Sequence, residues 1–139
     1  MRTADRLLAM IDRVSPPRVV HAHCDLPCGV YDPAQARIEA ESVKATMEKF
    51  NASKDETFRV RATIIKEERA DLVKHHLWVL WTDYFKPEHL EKHPQLHDLF
   101  WKATKAAGQA KKTTDVAVAE DLLNQINEIG RIFWETKKA

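Results

Sequence analysis

Two cysteines, Cys24 and Cys28, stand with His23 in the run HCDLPCGVYDP, and the chain has no others. Two thiolates and an imidazole within six residues make a candidate site for metal or redox chemistry. Pro27 and Gly29 shape the backbone between and after them. Several chemistries compete for the cluster. Tetrahedral zinc takes four protein ligands as a rule, and the run offers three with no second Cys pair elsewhere. Dithiol exchange uses C-x-x-C rather than C-x3-C. A disulfide across so short a loop adds little stability by the chain-entropy account. A non-catalytic helical protein with a structural metal-binding or thiol-redox loop, or with two idle thiols, is a further alternative. A cut between Ala22 and His23 changes the donor set. The new α-amine and the Cys24 amide nitrogen then join the two thiolates around one ion in a plane, with the His23 ring above. Tetragonal nitrogen and sulfur ligation suits Ni(II) or Cu(II) better than zinc.

The rest of the chain must hold this stretch. Residues 32–139 predict helices. Asp32-Pro33 is a helix start, and Ala36, Ala40, Val43, Met47 and Phe50 form one stripe over residues 33–50. Ser53 with Glu56 reads as a capping box for a long helix to about Phe85. Phe58, Ala62, Ile65, Leu72, Val79 and Leu80 are expected near its inner face. A third helix runs from Pro94 to Ala107, with Leu96, Leu99, Phe100 and Ala103 inward, and Gly108 is expected to end it. Thr113 or Thr114 caps the last, whose stripe is Ala119, Leu122, Ile126, Ile129 and Phe133. Four amphipathic helices with short connections predict an all-α, antiparallel up-and-down four-helix bundle.

Residues 1–22 differ in character. Leu7, Leu8, Ile11 and Val14 lie along one side of a short helix capped by Thr3 and ended by Ser15-Pro16-Pro17. Val20 and Ala22 satisfy the small-residue rule of a secretory cleavage site, but charged residues interrupt every apolar core such a signal needs. No run approaches the ~18 apolar residues of a membrane span. The net charge of +1 gives no basic face for nucleic acid. Two closely spaced thiols and no disulfide framework fit a reducing compartment.

Other clusters are weaker. No glutamate precedes a histidine by three residues, so a di-iron bundle is disfavoured. His89, His93 and His97 have ligand-like spacing, but Pro94 disfavours helix at His93. His75 and His76 point in different directions on a helix. Trp78, Trp81, Phe100, Trp101 and Trp134 read as core or subunit contact rather than a cofactor box.

HCDLPCGVYDP resembles the nickel-binding hook of the nickel superoxide dismutase family. IEAESVKA, IIKEERADLVKHHLWVLWTDYFKP and IFWETKKA are also similar to that family, so the resemblance covers nearly all of residues 23–139. It implies a pro-segment over residues 1–22, removed by a processing protease between Ala22 and His23. It implies a hook over 23–31 and a bundle over 32–139. One nickel ion per mature chain would be held by the His23 amine, the Cys24 amide nitrogen and the Cys24 and Cys28 thiolates, with the His23 ring axial. Glu39 and Arg69 would hold that ring. Pro27 would carry a cis peptide, with Gly29 shaping the hook after it. Tyr31 would gate the open face, with Asp25 and Tyr84 supporting the hook. The reaction implied is conversion of superoxide to O2 and H2O2 by Ni(III)/Ni(II) cycling, with Lys86 a candidate for electrostatic steering. A homohexamer in the bacterial cytoplasm, without nucleic-acid or membrane partners, completes the expectation.

Overall fold

A computed structural model gives the structure of the chain and describes residues 28–138. The leader helix, the Ala22–His23 junction, His23, Cys24, Asp25 and the Pro27 peptide lie outside the described residues.

Asp32 opens helix α1 (Ala34–Ala52) by accepting from the Ala34 amide at 2.8 Å. Pro33, at φ −64°, is already set for the first turn. Ala36, Ala40, Val43 and Met47 are fully buried along one stripe.

Helix α2 (Glu56–Val79) starts from Asp55 rather than from the expected Ser53 box. Asp55 Oδ1 accepts from the Thr57 and Phe58 amides at 2.9 and 3.3 Å, while Ser53 Oγ accepts from Asp55 itself. A carboxylate is the stronger acceptor at the positive end of a helix. The inner face of α2 also differs from expectation. Ala62, Lys66, Ala70, Val73 and Leu77 face the core, while Phe58, Val60, Ile64 and Ile65 are exposed. Two apolar faces compete on this helix, and the one with small residues wins because it allows close approach of its neighbours.

α2 ends in a π-helical turn over Leu80–Tyr84, closed by the Phe85 amide on the Leu80 carbonyl at 3.0 Å. A short helix α3 (Pro87–Lys92) follows. His93 is non-helical at φ −129°, ψ 69°, as the following proline requires. Helix α4 (Leu96–Lys112) runs through Gly108, which does not end it. Its end is supplied from outside. Lys66 Nζ donates to the carbonyls of Ala110, Lys111 and Thr113 at 2.7–2.8 Å. Helix α5 (Val116–Lys138) closes the chain, with every residue of its expected stripe buried and Ile132 added.

Helix α1 packs on α2 and α5, and α4 packs on the same two. This is the ring of neighbours of an up-and-down four-helix bundle. Leu77, Leu80, Phe85, Phe100, Leu122, Ile126 and Phe133 meet in one cluster of its core.

Candidate metal centre

Cys28 is exposed where the described chain approaches the bundle. Gly29 follows at φ +72°, a backbone state that costs a side-chain-bearing residue roughly 1 kcal/mol or more. This turn sends the chain to Tyr31 and Asp32. Pro33 then rests on Gly130 of α5, where an added Cβ would lie 3.7 Å from the proline ring. The entry to α1 is thus fixed against α5.

Tyr31 packs against the core, its ring centroid 5.8 Å from that of Tyr84. The π-turn ends at Tyr84, whose ring lies 4.3 Å from Phe133 and stacks at 5.6 Å on His89. The Tyr84 hydroxyl is 2.6 Å from Thr136 Oγ1, and Lys137 Nζ sits 5.0 Å over the Tyr84 ring. Burial pushes the His89 imidazole below its ordinary value, with Glu88 opposing and Lys86, Lys92 and His93 assisting. Its Nδ1 accepts from the Lys86 amide at 3.2 Å, which fits a neutral ring. Lys86 is exposed at this same end of the bundle.

Glu39 on α1 and Arg69 on α2 form an ion pair, Nη1 to Oε2 3.2 Å. Glu39 is the more enclosed partner at 17% exposure against 39%. By helix rise, Glu39 lies roughly 8 Å along α1 from its first residue, in the half of α1 nearer Cys28.

The remaining histidines among the described residues do not converge. His75 and His76 meet edge to face. His97 lies against Trp81, and His93 Nε2 is 3.8 Å from Glu135. Trp78, Trp101 and Trp134 are exposed, whereas Phe100 is core. Among the described residues no group of three or more His, Cys, Asp or Glu side chains is placed to hold a metal.

Sequence reading missed Thr136 and Lys137. Their signal was present: they follow Phe133 by three and four residues, so all three share one helix face.

The donor set fits nickel. Among the described residues the bundle offers no competing cluster, and the chain's only thiols, Cys24 and Cys28, flank three residues directly after His23. Thiolate and nitrogen donors together suit tetragonal Ni or Cu. The class of protein is an all-α four-helix bundle with an exposed thiol at its entry. The sequence pattern described as nickel-containing superoxide dismutase matches residues 18–137. Superoxide dismutase (Ni) of Streptomyces seoulensis is 61% identical over 131 residues, 94% of this chain and 100% of that protein. The Streptomyces coelicolor protein of the same name is 59% identical over the same shares. A crystal structure of Ni-containing superoxide dismutase with Ni-ligation of the oxidised state superposes with a TM-score of 0.82 at 63% identity. It covers 84% of this chain and 100% of its own. A native nickel superoxide dismutase structure at 1.30 Å matches with the same TM-score and shares at 61% identity. The chain belongs to the nickel-containing superoxide dismutase family: it is an oxidoreductase acting on superoxide, and nickel is its cofactor.

Proposed function

We propose that this chain becomes active when cleavage between Ala22 and His23 frees an amine that completes a nickel hook over residues 23–31. One observation carries the reading. Four solved relatives are covered whole by 84% of this chain, the share that residues 23–139 make up, whereas the curated relatives are covered whole by 94%. One nickel ion per mature chain would be held by the His23 amine and imidazole, the Cys24 amide nitrogen and the two thiolates. Cycling of the bound nickel between Ni(III) and Ni(II) supplies the electron store that lets one superoxide leave as O2 and a second, with two protons, as H2O2. Relatives solved with Ni-ligation of an oxidised state and of a partially reduced state support that redox role.

The chain's own residues do the rest. Gly29 turns the hook back toward the bundle, and the Tyr31–Tyr84 pair supports its base. Asp25 and Pro27 belong to the hook's own shape. Tyr31 limits approach to small anions. The Glu39–Arg69 pair gives the His23 ring a fixed carboxylate, which orients a ligand and raises its basicity. Lys86 and Lys137 add positive charge near Tyr84 that draws superoxide in. The exposed Phe58, Val60, Ile64 and Ile65 give α2 a contact face for copies of the chain, in keeping with a hexamer. No helix among the described residues is long and apolar enough to cross a membrane, and the proposed location is the bacterial cytoplasm, where a processing protease must also act.

The test is superoxide turnover by cleaved protein carrying Cys24→Ser or Cys28→Ser. Loss of both nickel and turnover is expected. Retained turnover in either variant would remove the hook from the mechanism.

A further inference from the structure

Thr136 lies in the last turn of α5 and has one hydroxyl proton. Its Oγ1 is 2.7 Å from the Phe133 carbonyl, three residues back, and a carbonyl only accepts. The threonine proton is therefore directed to Phe133, the local back-bond that threonine makes within helices. The same Oγ1 lies 2.6 Å from the Tyr84 hydroxyl. With the threonine proton committed elsewhere, Tyr84 must be the donor in that short contact. A phenol also has one proton. Once it points to Thr136, the Tyr84 oxygen can only accept on its other side, and the aromatic ring of the hook packed beside Tyr84 is that of Tyr31, the centroids 5.8 Å apart.

We propose that Thr136 is a positioning residue that fixes the direction of hydrogen bonding in the tyrosine pair, so that Tyr84 presents an acceptor, never a donor, toward the hook. The assignment rests on the reading that Tyr31 stands at the mouth of the site. A water or hydroxyl between the tyrosines must then direct a proton toward Tyr84. Tyr84 does not supply a proton for H2O2 formation; it takes up hydrogen-bonding capacity that would otherwise hold an anion. The pair lets small anions reach the site without trapping them there. Without the Thr136 oxygen, the Tyr84 proton turns toward the hook and becomes an extra donor for any anion that enters.

The chain has two tyrosines, so labelling tyrosine with 13C at Cζ gives two signals, assigned by Tyr31→Phe. In the full chain, Thr136→Val, which removes the hydroxyl at nearly constant shape, is expected to shift the Tyr84 signal. Thr136→Ser should keep it at the wild-type position, and Thr136→Ala serves if the valine variant does not fold. With nickel loaded into cleaved protein, Thr136→Val or Thr136→Ala should tighten azide inhibition by about three- to tenfold, the worth of one added hydrogen bond. Thr136→Ser should restore the wild-type constant. A Tyr84 signal unmoved by loss of the hydroxyl, or azide inhibition unchanged while the signal moves, would overturn the proposal. The carbon signal needs no nickel, so a failed hook would show separately, as cleaved protein that takes up no metal.

Discussion

Tyr31 and Tyr84 stand fifty-three positions apart, and the fold brings their rings to 5.8 Å. If Tyr31 gates and does not ligate, Tyr31→Phe should keep nickel at wild-type content and change the inhibition constants of small anions. Loss of nickel would contradict the gate. The Glu39–Arg69 pair separates stability from activity. A pair this exposed contributes at most about 1 kcal/mol to folding. Arg69→Ala should thus leave the urea midpoint nearly unchanged, while kcat/KM falls at least about tenfold through a misoriented His23 ring, an outer-shell effect of the usual size. Equal losses in stability and activity would make the pair merely structural. His89 gives a pH effect of defined sign. Its folded value is lowered by burial, so its contribution to stability is complete above the ordinary value of about 6.5. That contribution falls as pH drops from there toward the lower folded value, because the unfolded chain takes up the proton first. His89→Gln should flatten this part of the stability–pH curve measured by urea unfolding.

Among the elements, α1, α4 and α5 were legible because each has one apolar stripe of period three and four. The stripe on α2 was not, because Phe58, Ile65, Leu72 and Val79, spaced by seven, form a second apolar line that folding leaves exposed or half-buried. Lys66 carried the missing signal: it stands in register with Ala62 and Ala70, yet a lysine is not expected in a core. Its burial pushes the ammonium below its ordinary value, and the three carbonyls it binds explain why it tolerates the position. These bonds also explain why α4 outruns Gly108. Lys66→Met leaves the three carbonyls without their donor, and should lower stability by about 2 kcal/mol. Hydrogen exchange should quicken first around residues 110–114. The π-turn was illegible because its extra residue changes the hydrogen-bond ladder and not the hydrophobic period. The resemblance named Glu39 and Arg69 as holding the His23 ring, but their pairing with one another was not legible, since no spacing rule joins residues on different helices.

For the molecule as a whole, the bundle is a holder. It brings Tyr31, Tyr84, Thr136 and Lys137 to the end where Cys28 enters, and provides no metal cluster among the described residues. Its outward α2 face should matter to assembly and not to folding. Ile64→Asp is expected to reduce the particle mass in analytical ultracentrifugation while leaving helical content intact; unchanged mass would place the contacts elsewhere. The central claim, that the site exists only once residue 23 carries a free amine, is tested by metal analysis of two matched chains. One begins at His23 and the other keeps Ala22 in front of it. The chain beginning at His23 should bind one nickel and turn over superoxide, and the chain one residue longer should do neither. Equal nickel content and turnover in both would contradict the account.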